Sequence, residues 1–465
     1  MVEWQDEAAK RKEQLVSDAQ EFLRIKSVLD EEGGTEGAPF GKGINEALHY
    51  LLDKGKADGF TVKNLDGYAA HIEMGEGDEV IGVLCHIDVV PEGDGWTSDP
   101  FSAEIRDGKI FARGALDDKG PTMAAYHAMK LVKEMGLKLN KRVRMIIGTD
   151  EESDWRCVEH YFKHEEMPVM GFAPDADFPI INAEKGLIDA VLITQFPEEK
   201  PSDQAVLLER FESGRRFNMV PDLAEAVLSG PGSQELADGF DRYLAEHGIK
   251  GQAVEKEGKL HFRVEGVSAH AMEPDNGKNA GIYLAAYLVD EKLDKHASQF
   301  LSLASDYFQD DTRGKKLGIE MKDEISGDLT VNAGIISYRY ENGGKLGINI
   351  RYPVTAKSDR IQEQLKKIPG MKLESFSDSK PHHVDAQHPL IQKLQKVYEE
   401  QTGEKAELIS IGGGTYARSL EAGVAFGPLF PGRPDIAHQK DEYMEIEDLV
   451  KAAGIYAQAI YELAK

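Results

Sequence analysis

The chain has 465 residues, 41% of them apolar and 29% charged. That is a globular balance and more length than one ordinary core uses, so two or three domains are expected. With 55 Lys and Arg against 82 Asp and Glu, the net charge is −27, which excludes a basic footprint for nucleic acid and disfavours an anionic membrane surface. The two cysteines, Cys85 and Cys157, form no disulfide framework and suit a reducing compartment. The polar opening "MVEWQDEAAKRKEQ" has no apolar h-region, and no uninterrupted apolar run of about 18 residues occurs, so neither a secretory signal nor a membrane span is expected. A soluble, cytoplasmic protein is the expectation.

In chain order, the first 186 residues alternate helix-like and strand-like segments. Helices are predicted over 16–28, where Phe22, Leu23 and Ile25 keep helical spacing, and over 44–59, ending at Gly59. "EVIGVLCH" (79–86) is a nearly continuous apolar run, as for a strand buried on both faces. The helix predicted over 120–136 has Pro121 in its first turn and Gly136 as its stop. Strands are predicted over 142–149 and 169–175. This alternation argues for a mixed or parallel sheet flanked by helices. From 187 to 384 the texture changes: strands over 187–194, 259–266 and 345–353 are separated by helices near 234–247 and 277–290. That pattern fits ferredoxin-like α+β modules, and its length implies an enlarged or doubled insert. From 385 the first texture returns, with helices predicted over 388–403 and 443–465. The expected fold class is α/β: a catalytic domain (1–186 and 385–465) with a mixed, mostly parallel sheet, interrupted by an enlarged α+β domain (187–384).

In open α/β sheets, ligands gather beyond the carboxyl ends of the strands. After "EVIGVLC" come His86 and Asp88; after "RVRMIIGT" come Asp150, Glu151 and Glu152; after "VMGFAP" comes Asp175. "RGALDDKG" (113–120) sets Asp117 and Asp118 just before a helix, and "DIAHQKDE" (435–442) holds His438. Taken singly, each has a plain structural reading: a His-x-Asp in a core, acidic residues at a helix N-terminus, a helix cap. Taken together they form an oxygen-rich set with two histidines. Two divalent metals about 3.5–4 Å apart need a bridging ligand, which a carboxylate can supply.

The motifs "CHIDVVPEGDGW" (85–96), "DGKIFARGALDDKGPTMAA" (107–125), "GTDEES" (148–153), "PDADFPIINAEKG" (174–186), "GVSAHAMEP" (266–274), "GGGTYAR" (412–418) and "AHQKDE" (437–442) span nearly the whole chain. They resemble the co-catalytic metallopeptidases that include glutamate carboxypeptidase, aminoacylase, desuccinylase and carnosinase, with the peptidase V dipeptidases as the nearest branch. The resemblance implies that His86 and Asp175 hold one metal, Glu152 and His438 the other, and Asp117 bridges, with a cis bond between the paired acids. Zn²⁺ is the first expectation, with Mn²⁺ or Co²⁺ as alternatives. Asp88 would accept the other ring N–H of His86 and set its tautomer. Glu151 would be the general base for a metal-bridging water. If the chain is extended there, Glu151 and Glu152 point different ways; Asp150 receives no role.

In the insert, which the family uses as a lid, His270 resembles an oxyanion-stabilising histidine. Asn218, Arg351 and the backbone N–H of Gly414 resemble the groups that hold substrate, Arg351 gripping a C-terminal carboxylate. His382 and His383 read as a junction loop rather than as ligands. The enlarged lid implies a monomer that completes its own site. The function implied is a metal-dependent dipeptidase acting on small peptides with a free C-terminal carboxylate. The alternatives are an N-acyl-amino-acid deacylase of the same fold, or a non-catalytic binding protein that retains it.

Overall fold

The strand Val80–His86 is buried along its whole length, because it has strand neighbours on both sides and helices packed on it. It pairs in parallel with Arg142–Gly148 on one side and Met170–Ala173 on the other. Gly423–Ala425 extends the parallel set beyond Met170–Ala173. Antiparallel strands Ala69–Met74 and Thr61–Leu65 continue the sheet beyond Arg142–Gly148. The sheet is thus mixed, parallel at its centre. The structure, a computed structural model, describes residues 2–195, 206–231, 233–289 and 293–465.

These residues divide into two compact units: Met1–Asn182 with His383–Ile409 and Thr415–Lys465, and Ala183–His382 with Ser410–Gly414. In the first, the helices Lys119–Glu134 and Ile446–Ala464 pack together and on the central strands. Lys119–Glu134 carries Pro121 in its first turn, where the missing N–H costs nothing. It ends at Gly136, whose φ of 64° is the left-handed stop that glycine adopts freely. Lys12–Leu23 and Lys42–Ala57 begin four and two residues earlier than their apolar spacing suggests, since polar first turns carry no periodicity. The expected helix over 443–465 begins only at Ile446; Tyr443–Glu445 is instead a strand paired with Lys109–Phe111. His382–His383 is a two-residue strand rather than a loop.

The second unit is an antiparallel eight-stranded sheet in the order Lys250–Lys256, Lys259–Glu265, Leu223–Ser229, Leu207–Ser213, Thr330–Arg339, Gly343–Tyr352, Gly186–Thr194, Met371–Ser379. Along Lys259–Glu265 the residues Leu260, Phe262 and Val264 are buried while those between them are not, the period-two signature of a sheet with one covered face. Helices Phe240–His247, Ala280–Leu288, Lys295–Phe308 and Asp359–Leu365 share this core. The eight strands of this sheet and these four helices are twice the complement of one ferredoxin-like module. Residue 290, the end of the helix expected over 277–290, lies outside the described residues.

Candidate functional site

Parallel register sets His86 level with Gly148, so the two strands end side by side. Asp175 follows two residues after the neighbouring strand Met170–Ala173, and Asp117 precedes the helix Lys119–Glu134. At this edge two groups of ligand-type atoms form, each with all atoms within 4.8 Å of one another: His86, Asp118 and Asp175; and Asp117, Glu152 and His438. Asp117 joins them. Its Oδ1 lies 3.0 Å from His86 Nε2 and its Oδ2 lies 2.9 Å from His438 Nε2. Asp175 Oδ1 is 3.5 Å from His86 Nε2, and Glu152 Oε1 is 3.0 Å from His438 Nε2. Glu151 Oε2 stands 3.9 Å from His86 Nε2. The Asp117–Asp118 peptide is cis.

His86 Nδ1 donates to the main-chain carbonyl of Asp88 at 3.0 Å. This corrects the expected partner: the Asp88 carboxylate lies farther off, at 3.5 Å, and its Oδ2 accepts the Glu152 N–H at 2.9 Å. With Asp88 only two residues on, the turning chain presents its carbonyl to the ring before its side chain can reach it. The bond fixes a proton on Nδ1 and leaves Nε2 as the ring atom that faces the carboxylates. That buried Nε2 has no hydrogen-bond partner, although three carboxylates surround it.

The charges reinforce the same point. Burial and the charge of Asp175 push Asp118 well above the usual carboxylate range. Burial also raises Glu151, helped by Asp175, Glu152 and Asp117. Burial alone would raise Asp117, but the His438 and His86 imidazoles facing it hold it below the usual range. Asp117 and Glu152 together push His438 up to about 11. The site thus gathers excess carboxylate around two imidazoles and retains protons in compensation. A buried imidazole nitrogen facing three carboxylates, and two carboxylate oxygens of Asp117 turned to two imidazoles, fit divalent cations, which would take the place of those protons.

Glu151 and Glu152 do not lie on an extended chain; they occupy a turn over residues 151–154. The turn, rather than strand alternation, sends Glu152 to His438 and Glu151 towards His86. Asp150, given no role by the sequence, closes this turn. Its carboxylate takes Arg156 Nε at 2.7 Å, Nη2 at 2.9 Å and the Arg156 N–H at 3.1 Å, while its carbonyl takes Trp155 N–H at 2.9 Å.

Sequence reasoning gave no ligand role to Asp118, whose Oδ2 accepts the His86 N–H at 3.2 Å and the Thr122 hydroxyl at 3.1 Å. It also passed over Glu442, Arg113 and Tyr416. Glu442 ties the loop bearing Asp117, and the Tyr416 ring meets the His86 ring edge-on at 5.9 Å. All four lie inside the quoted motifs, which was the only available signal.

The remaining candidates lie in the second unit. Ala271 N–H donates to the Asn218 carbonyl at 2.9 Å, and Met219 forms a bridge with His270. His270 Nδ1 accepts the Met272 N–H at 3.3 Å, which leaves the ring proton on Nε2 as a donor. Gly412 approaches Met272 so closely that a Cβ there would stand 2.8 Å from that residue's Cβ. Arg351 is buried, with Nη1 on the Gly412 carbonyl at 2.6 Å and Nε on Asn349 at 3.0 Å. Gly414 is exposed in the same Ser410–Gly414 segment. The fold therefore gathers Asn218, His270, Arg351 and the glycine segment within one unit, and His86, Asp88, Asp117, Glu151, Glu152, Asp175 and His438 within the other.

This fold and site define a hydrolase of the metallopeptidase class. Residues 82–462 match the model of peptidase family M20/M25/M40, and the chain belongs to that family. It is 62% identical over 464 residues to YtjP of Bacillus subtilis (strain 168), named as a candidate dipeptidase, with 100% of both chains covered. It is 43% identical to a candidate dipeptidase of Staphylococcus haemolyticus, with 99% of each covered. Among solved structures, aminoacylhistidine dipeptidase from Vibrio alginolyticus superposes with a TM-score of 0.57 at 15% identity, over 97% of each chain. Human carnosine dipeptidase 1 does so with a TM-score of 0.56 at 14% identity, over 99% of this chain and 98% of that one. Likeness at this level shows the shared fold.

Proposed function

We propose that this protein is a metal-dependent dipeptidase that cleaves small peptides bearing a free C-terminal carboxylate. One observation carries the reading: the Asp117 carboxylate turns one oxygen to His86 and the other to His438, joining two ligand groups, with Glu151 beside them. His86 with Asp175 would hold one divalent cation, and Glu152 with His438 the other, with Asp117 between. Cations held there would supply Lewis-acid polarisation of a scissile carbonyl and a water acidic enough to attack near neutral pH. Glu151, not engaged with either histidine at hydrogen-bond distance, takes a proton from the attacking water and returns it to the leaving amine. His270 Nε2–H is a donor suited to the oxyanion, and Asn218, Arg351 and the Gly414 N–H would supply polar groups for the substrate's carboxylate. The candidate-dipeptidase names of the full-length relatives support this substrate class. The two buried, unpaired cysteines suit a reducing, cytoplasmic setting. Among the described residues no helix is long and apolar enough to cross a membrane.

The test separates the adjacent glutamates. Glu151→Gln should cut kcat by about 10²–10⁴-fold while metal content stays near about two ions per chain. Glu152→Gln should lower the metal content itself. Identical behaviour of the two variants would defeat the division of roles. Faster turnover of N-acetyl amino acids than of unblocked dipeptides would favour a deacylase.

A further inference from the structure

Arg113 and Glu442 form an ion pair almost wholly removed from water: their side chains are 2% and 0% exposed, and Nη1 lies 2.6 Å from Oε2. The other Glu442 oxygen, Oε1, accepts the main-chain N–H groups of Leu116 at 2.9 Å and Asp117 at 3.2 Å. The guanidinium also donates to main-chain carbonyls: Nη1 to Gln439 at 3.2 Å, and Nη2 to Glu92 at 3.1 Å, His438 at 3.4 Å and Pro91 at 3.5 Å. The pair thus grips the backbone of Asp117 from one side and that of His438 from the other. These are the two residues whose side chains meet at 2.9 Å.

A buried ion pair is a weak source of stability, because desolvating two charges offsets their attraction and apolar replacements often do as well. An apolar pair could not, however, accept two successive N–H groups and donate to converging carbonyls from two other segments. The planar, five-donor fork of arginine can. His438 also has φ of 63°, a left-handed conformation that a non-glycine residue keeps only when its surroundings hold it there.

We propose that Arg113 and Glu442 are positioning residues that set the separation of Asp117 from His438, and through it the shape of the Asp117–Glu152–His438 group. This rests on reading that group as a metal site. Neither residue touches substrate; both act through the two residues they hold.

The test uses the full-length protein stripped of divalent ions, with Zn²⁺ and Mn²⁺ titrated back against a competing chelator. Arg113→Lys keeps the charge but loses the fork; Glu442→Gln keeps the shape but loses the charge. Asp18→Asn is the control, since it breaks a different buried cluster, with Lys54 and His127 each at 2.8 Å. In both test variants one of two metal-binding steps should weaken about 10–100-fold while the other holds, and kcat at saturating metal should fall with KM unchanged. The control should lower Tm and leave both metal steps intact. Test variants that lower Tm as the control does, with metal affinities and kcat unchanged, would overturn the proposal. If Glu442→Gln does not fold, Arg113→Lys decides alone. A wild-type protein that takes up no divalent metal would refute the metal reading itself, and this inference with it.

Discussion

Asp150→Asn probes the turn on which Glu151 and Glu152 stand. In the wild type the Asp150 side chain is out of water and holds Arg156 through three bonds of 2.7 to 3.1 Å. Hydrogen bonds to charged groups contribute about 1.5–3 kcal/mol. Arg156 is about a third exposed and also pairs with Glu31, so the lower part of that range applies, about 2 kcal/mol after screening. Asparagine can accept one of these bonds, but turns its amide hydrogens towards donors. Were the whole loss expressed as loosening of the turn, the productive arrangement would fall about 30-fold in population. Steady-state kinetics should therefore show kcat/KM reduced by about 10–30-fold, with Tm lowered by only about 2–6 °C because the change is local. Arg156→Gln should show the same loss plus that of its exposed pair with Glu31, and the double variant should be no worse than Arg156→Gln, since the Asp150–Arg156 interaction is lost only once. Full kcat/KM in Asp150→Asn, or penalties that simply add in the double variant, would refute the clamp.

Two further outcomes can be checked. His71 is buried, accepts the Tyr161 hydroxyl on Nδ1 at 2.9 Å, and has its pKa pushed down to about 4 by burial and by Arg144, with Glu165 opposing. The unfolded chain protonates this histidine near 6.5 and the folded one only near 4, so its contribution is whole above pH 6.5 and lost as pH falls towards 4, about 3 kcal/mol in all. Denaturant melts of wild type and His71→Gln should converge over that window, whereas parallel stability curves would contradict the assignment. The second outcome concerns assembly: if each chain completes its own site, Glu151→Gln and His270→Ala proteins should remain inactive when mixed. Recovered activity would show that a neighbouring subunit supplies the histidine.

The sequence determined by itself what local pattern can determine. The run 79–86 is apolar at almost every position because its strand is covered on both sides, and that pattern needs no knowledge of the partners. The helix stop at Gly136 is likewise local. In the second unit, Lys259–Glu265 alternates cleanly and was legible, whereas the edge strands Lys250–Lys256 and Met371–Ser379 are largely exposed and carry little apolar signal. The motifs named a set of acids and histidines, but not how each is held.

Tertiary structure decided the rest. Only folding brings His438 to the Asp117 oxygen that faces away from His86, since those three residues come from distant parts of the chain. Only folding turns a main-chain carbonyl of Asp88, rather than its carboxylate, to the His86 ring. It gives Asp150 a partner in Arg156, and it buries Glu442 against Arg113 so that one carboxylate reaches two backbone amides. The physical reason is common to these cases: a polar group's partners are set by direction and distance in space, and spacing along the chain records neither, even for His86 and Asp88 two residues apart.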